Sequence, residues 1–458
     1  MGKPGKYRMN LLSSMWNNLV NDKLLQKVIR NAGYLLSSNV LSMGLSIVQS
    51  ILVGRLLGVA GFGVIGTITV FATTLNKIFS FRMNELVVKY FGEAATLKEN
   101  DKAAAIVKAA GIGEITSAVL SFLILVILAP FAAERLADDP ATTPLFILYG
   151  TIILANFTYE TAIGIIQVQN HFRSQAVINL ISSIATASII AWAYFTQKGL
   201  LEILSAYILG KFILGLGTTL LGWSEMNKVL GKDWWKTNFS SLPPIKELFS
   251  FAFSTNISNT VIHLVRDNEA LWIAWFLTPV DVGYTKTALA IINLVQVPIT
   301  PFISTSYPEI NNAVIKKNWK LLRRLLKRIT LISGTWTGIS VVGLALFGRW
   351  LLMFYGAEFL PAFKPMLLFL VGLGYANILF WNRPLLLSLG LPMVPYRISL
   401  YCGIAKIGLA FLLVPRFGLN VEALLLSAFF LISISLIVLR GFKEVKIREQ
   451  NLQETSAI

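Results

Sequence analysis

Apolar stretches of roughly 20 residues recur twelve times along the chain, at about 34–53, 62–81, 109–132, 144–167, 176–196, 200–223, 250–277, 283–305, 329–347, 363–388, 398–415 and 420–440. A run of about 20 apolar residues is the length at which an α-helix crosses the hydrocarbon core of a bilayer. The composition agrees. Apolar residues make up 55% and charged residues 14% of the chain, with a mean hydropathy of +0.67. A soluble protein carries about 25% charged residues. An all-α integral membrane protein with twelve transmembrane helices is the expected class.

The net charge of +17 would in a soluble chain point to nucleic acid. Here the placement of the charges argues otherwise. Of the 40 Lys and Arg residues, 28 fall in the N-terminal segment, the C-terminal tail and the loops near 82–108, 168–175, 224–249, 306–328 and 389–397. The opposite loops hold five: Arg55, Arg135, Lys198, Arg349 and Arg416. Positive charge collects on the cytoplasmic side of membrane proteins, so both termini are expected in the cytoplasm of a multi-pass inner-membrane protein, with no nucleic-acid partner. The most basic stretch, KKNWKLLRRLLKR over Lys316–Arg328, carries Ile315, Trp319, Leu322 and Leu326 at helical spacing. That pattern predicts an amphipathic helix lying on an anionic leaflet.

One cysteine, Cys402, excludes an intramolecular disulfide, and the two histidines, His171 and His263, are far apart. No spacing matches a metal site and no cofactor is expected. The non-cytoplasmic loops are too short to fold separately. A membrane glycosyltransferase, polymerase or ligase would need a positioned acid, base or metal, often in a large loop. The chain is therefore read as a transporter and not an enzyme.

A repeat relates the two halves at an offset of 220. Residues 52–80 align without gaps to 272–300, with Leu57/Leu277, Gly63/Gly283 and Thr67/Thr287 identical, and Asn39 pairs with Asn259 upstream. Each copy is a long helix, a tight turn and a second helix, and both start on the same side. The repeat is thus parallel, which suits a transporter whose halves rock about a central site. The expected divisions are a cytoplasmic segment over 1–33, six-helix bundles over 34–223 and 250–440, a linker over 224–249 and a tail over 441–458.

GRLLGVAGFGVIG (54–66), followed by a helix and ELVVKYFGEA (85–94), resembles the start of bacterial polysaccharide flippases. These belong to the superfamily of multidrug, oligosaccharidyl-lipid and polysaccharide exporters, which also holds the lipid II flippases and the multidrug and toxin extrusion antiporters. Asp281-Val-Gly-Tyr284 with Pro298 and Pro301 resembles the same family's seventh and eighth helices. Tyr355-Gly-Ala-Glu358-Phe359 with Ala362 resembles its motif before the tenth. The similarity runs in order along nearly the whole chain. It implies two six-helix bundles forming a V around a central cavity, and a sugar chain on a polyprenyl pyrophosphate as substrate.

Ionisable side chains at mid-bilayer cost roughly 2.5–3.5 kcal/mol each, so those present need a wet cavity or a partner. The cations are Lys77, Lys211, Arg266, Lys286, Arg383 and Lys406, with Lys364 at an edge; the acids are Glu114, Glu160, Asp267 and Glu269. Asn256, Asn259, His263 and Arg266 share one helical face of the seventh span. Lys286, Asn293, Gln296, Thr300 and Ser304 do so on the eighth. A third stripe, Ser38, Ser42, Ser46 and Gln49, runs along the first span, where helix packing is the stronger reading. Arg266 and Glu269, three apart, could pair. A surplus of fixed cations suits pyrophosphate. Arg266, Lys211 and Lys406 are expected to contact it, with Lys286, Arg383 and Lys77 as further cavity cations. Asn259, His263, Asn293, Gln296, Glu114 and Glu160 are candidates for the polar lining or for coupling to H+ or Na+. A monomer in the lipid bilayer, working by alternating access on a lipid-linked oligosaccharide, is the expected state. A multidrug antiporter is the alternative, disfavoured because its cavity would need acids.

Overall fold

The structure is a computed structural model that describes residues 23–79, 83–249 and 268–457, the side chains of 23–36, 301, 304 and 452–457 excepted. All regular elements among them are helical. The first half comprises α1 (Lys23–Phe79), a short segment made of Met83–Leu86, the π turn Val87–Phe91 and Gly92–Thr96, then α2 (Asn100–Leu136), α3 (Thr143–Ala155), α4 (Tyr159–Val168), α5 (Phe172–Phe195) and α6 (Leu200–Leu230). The second half comprises α7 (Glu269–Phe276), α8 (Pro279–Gln296), α9 (Thr300–Ile315), α10 (Trp319–Met353), α11 (Phe363–Ile378), α12 (Asn382–Ser388), α13 (Met393–Phe417) and α14 (Leu419–Ala457). Among the described residues, ten helical stretches are long and apolar enough to cross a membrane, and the first of them spans the break in α1.

The break in α1 falls at Gly58, whose φ of 67° lies in the left-handed region that only glycine enters without strain. At the repeat offset of 220 stands Thr278, between α7 and α8. There the same break is built by other means. Thr278 caps α8, its hydroxyl 3.4 Å from the Asp281 amide, while the Asp281 carboxylate accepts from the Thr278 amide at 3.2 Å. Pro279 opens the helix, where its missing N–H is no loss. The sequence repeat is thus also a structural one.

It extends further. The fourth and tenth spans are each broken mid-way, α3 from α4 at 156–158 and α11 from α12 at 379–381. Broken helices leave backbone groups unpaired, and inside a membrane something must satisfy them. In the first half Glu114 of α2 does so, accepting from the Glu160 amide at 2.8 Å, the Thr161 amide at 2.9 Å and the Thr161 hydroxyl at 2.7 Å. In the second half Ser333 of α10, one residue from the repeat position of Glu114, donates to the Ile378 carbonyl at 2.8 Å. An acid serves the N-terminal end of one break and a hydroxyl the C-terminal end of the other, as the helix dipole requires.

The halves meet mainly through α1, which packs on α8 and α7, and through the contact of α2 with α7. The joint is tightest at the end away from the chain termini. A Cβ on Gly63 would overlap the Pro279 carbonyl, 2.7 Å from its carbon, and one on Gly283 would overlap the Val59 carbonyl. Val59 and Pro279 are themselves repeat partners, so the two glycines make the same close contact reciprocally about a pseudo-twofold axis. Close backbone approach through small residues is how membrane helices gain packing attraction. Around this seam, Phe62 meets the rings of Tyr355 and Phe359 at 6.3 and 6.1 Å, Arg55 donates to the Phe354 carbonyl at 2.6 Å, and Tyr355 bonds Ser50 at 3.1 Å.

At the termini end the halves are cored separately. Met83, Val87, Phe91, Ile106, Ile165 and Met226 pack together in the first half. Ile310, Trp319, Leu322, Leu326, Trp381 and Leu385 do so in the second. Among the described residues, the halves thus share their core at one end and hold separate cores at the other. The basic stretch departs from its expectation here. Residues 319–328 are the first turns of α10 itself, and Trp319, Leu322 and Leu326 are buried against α12 and α14, while Ile315 stays 69% exposed. The periodic apolar face exists, but it covers protein and not a leaflet.

Candidate functional site

The intramembrane charges fall into three groups. The first lies along the joint between the halves. Lys286, on α8, sits with its aliphatic stem over Gly66, again its own repeat partner, and is half-buried. Lys211, on α6, is exposed, and the charge of Lys77, near the end of α1, acts on it. Lys77 belongs to the part of α1 that packs on α8, so Lys211 faces the joint. Further along α8, Gln296 is half-buried and Asn293 exposed. Arg383 is exposed at the start of α12. Three lysines from both halves thus border one seam. Their charges suit an anion and repel a cation.

The second group is sealed. Lys406, expected in the cavity, lies on α13 with only 2% of its side chain exposed. It ion-pairs with Glu269 of α7 and, at 2.7 Å, with Glu422 of α14. It ties three helices of the second half together and reaches no open surface. Glu269 thereby pairs with Lys406; Arg266, its expected partner, lies outside the described residues. Glu422 was not among the residues singled out from sequence. Its signal was available, since it is the one acid in the apolar run 419–440.

The third group serves packing. Glu114 caps α4, and Glu160, half-buried in the first turn of α4, donates its amide to that cap. The polar stripe of the first span faces α5. Ser38 donates to the Ala176 carbonyl at 2.8 Å, Gln49 to the Ser183 carbonyl at 3.1 Å, and Ser42 bonds the Ser183 hydroxyl at 2.9 Å. Those bonds join α1 to α5 within one half, so that stripe is not a wall of the seam. Asn256, Asn259, His263, Arg266 and Asp267 lie outside the described residues. Among the described residues no group of three or more His, Cys, Asp or Glu side chains could hold a metal ion.

With this geometry in view, comparison with known proteins is decisive for the family. The model of the family described as "Polysaccharide biosynthesis protein" matches residues 28–314, more than half of the chain. The chain belongs to that family. The inner membrane protein YghQ of Escherichia coli (strain K12) is 26% identical over 295 residues, covering 63% of this chain and 81% of that protein. Solved structures share the fold at low identity. An inward-facing multidrug resistance MATE family transporter of the MOP superfamily superposes with a TM-score of 0.70 at 11% identity, covering 89% of this chain and 96% of the other. The lipid II flippase MurJ in an inward closed conformation gives 0.68 at 16%, covering 91% and 90%. An outward-facing MATE family transporter gives only 0.59 at 12%, covering 92% and 96%. The fold of this family member is that of the MOP-superfamily transporters, in a multi-pass membrane protein.

Proposed function

We propose that this protein is a flippase that moves a polyprenyl-pyrophosphate-linked oligosaccharide across the inner membrane, for assembly or export of a polysaccharide or lipopolysaccharide. The observation that carries the reading is a joint whose core is shared by both halves at one end and divided between them at the other, bordered by Lys211, Lys77 and Lys286. With the termini in the cytoplasm, as the charge bias favours, the end with divided cores faces inward. A head group enters there. Its pyrophosphate accepts charge-assisted hydrogen bonds from Lys211 and Lys286, and from Arg266 on the seventh span, in a low-dielectric site. The glycan occupies the wet space and the polyprenyl tail stays in lipid. Closing the inner end and opening the outer one then releases the product outside.

The test is genetic and biochemical. A deletion strain is expected to lose the surface glycan and accumulate lipid-linked oligosaccharide on the cytoplasmic leaflet. Wild-type protein restores export; a Lys211→Gln, Lys286→Gln double variant, present at equal level in the membrane, does not. Unchanged glycan together with new sensitivity to cationic drugs would instead assign the multidrug-antiporter activity.

A further inference from the structure

The 35 residues of α10 make about 52 Å of helix. A hydrocarbon core is only about 30 Å thick. Residues 329–348, between Arg328 and Arg349, hold no charged side chain and are long enough to fill it. The turns before Ile329 therefore stand among the lipid headgroups and beyond them. The basic stretch passes up through the leaflet surface and does not lie along it, and its buried face, Trp319, Leu322 and Leu326, is covered by protein.

Its opposite face is one continuous exposed stripe. Arg324, Arg328, Leu331, Thr335, Ile339 and Val342 follow one another at steps of four, three, four, four and three, which keeps them on one side of a helix, and all are exposed. Leu331, Ile339 and Val342 are exposed by 59%, 65% and 58% inside a membrane span, so they face acyl chains. Arg328 and Arg324 continue that line upward, with the exposed Lys327 beside them. Arg328 lies at the edge of the hydrocarbon and Arg324 one turn, about 6 Å, above it, at the level of lipid phosphates.

No acid answers these charges. Arg323 pairs with Glu449, and Arg440 and Arg448 both pair with Glu444. Among the described residues, Arg324, Lys327 and Arg328 make no ion pair. Cations three and four apart on a helix repel, and an anion set among them removes that cost.

We propose that Arg324, Lys327 and Arg328 bind the phosphate of one anionic phospholipid of the cytoplasmic leaflet, whose acyl chain lies along Leu331, Ile339 and Val342. The two guanidinium groups offer planar forks that match phosphate oxygens, and the lysine adds a point charge. An acidic peptide would meet the same cations but has nothing to set against the apolar length of the stripe. The halves meet mainly through α1, α2, α7 and α8, so this site is separate from the joint, and the inference does not rest on the flippase reading.

The experiment is native mass spectrometry of the full-length protein in detergent, titrated with phosphatidylglycerol or phosphatidylcholine. The wild type is expected to hold a first phosphatidylglycerol more tightly than phosphatidylcholine. An Arg324→Gln, Lys327→Gln, Arg328→Gln variant should weaken that first step by at least about tenfold. Lys316→Gln, Lys317→Gln, Lys446→Gln removes the same charge from exposed positions off the stripe and should weaken it less than about twofold. Arg324→Lys, Arg328→Lys keeps the charge without the forks and should fall between. All the altered side chains are exposed, and unchanged thermal midpoints would confirm that the variants fold. Equal weakening in the two triple variants would overturn the proposal in favour of diffuse attraction to the basic end. Displacement of the lipid by glycerol 3-phosphate as effectively as by phosphatidylglycerol would deny the apolar stripe its part. Tighter binding of polyglutamate than of phosphatidylglycerol would assign the face to an acidic protein segment. These readouts involve neither glycan nor transport, so their failure is separable from failure of the flippase reading.

Discussion

The reciprocal glycine contact supports a prediction whose size follows from the structure. In Gly63→Ala the new methyl would lie 2.7 Å from the Pro279 carbonyl carbon, against 3.4 Å or more in an ordinary contact. The carbonyl oxygen lies nearer still and the obstacle is backbone, so no side chain can swing aside, and α1 and α8 must part by about 1 Å or more at this point. A gap of 0.5–1 Å forfeits about a quarter to a half of each dispersion contact, worth roughly 0.1–0.2 kcal/mol apiece. Over on the order of 50 atom pairs, a number typical of one buried side chain, that loses about 2–4 kcal/mol from the closed end. At about 1.4 kcal/mol per tenfold, the ratio of closed to open molecules falls by a factor of roughly 30 or more. Gly283→Ala, 220 residues away, meets the Val59 carbonyl and is expected to do the same. Spin labels at Ala60→Cys and Ala357→Cys, both exposed, in a Cys402→Ser background would report the separation by pulsed electron resonance. Gly338→Ala and Gly343→Ala, with open space at their Cβ positions, are the controls. A wild-type distance distribution in Gly63→Ala, or opposite shifts in the two glycine variants, would refute the account of the seam as a symmetric closure.

Three further expectations can be checked with purified protein. Glu114→Ala leaves two backbone amides of α4 unbonded in an apolar setting and should lower stability by about 3 kcal/mol, read as a fall in thermal midpoint in detergent; Glu114→Gln, which can still accept, should lose less. If Glu114→Gln abolishes turnover without loss of stability, the capping role is insufficient. Trp319→Ala, emptying a buried site beside Trp381 and Leu385, should cost about 3–5 kcal/mol, and Ile315→Ala nothing measurable. Equal effects of the two would return the basic stretch to the membrane surface. Lys406→Met leaves two buried carboxylates without a counter-charge and should destabilise the second half by about 3–5 kcal/mol, with recovery in a Lys406→Met, Glu269→Gln, Glu422→Gln triple variant. Failure of the triple variant to recover stability would show that the three do not act as one unit.

The chain's linear pattern already held the membrane class, the span lengths, the charge asymmetry and the offset of 220, because each is a property of neighbouring residues or of composition. A run of apolar residues meets lipid whatever lies beside it, and a repeat is the same residue type at a fixed distance. Helical spacing also showed which polar residues share a face: Ser38, Ser42 and Gln49 do share one. What spacing could not hold is the identity of the opposing surface. That face meets α5 and not water, Glu114 meets the broken end of α4, and Lys406 meets two acids from helices 137 and 16 residues away and not an open passage. Charge and burial of one side chain are settled by atoms that arrive from distant parts of the chain, and only the packed fold brings them together. The same holds for Gly63 and Gly283: their identity was visible in the repeat, but that each makes room for the other half's backbone is a fact of the tertiary structure.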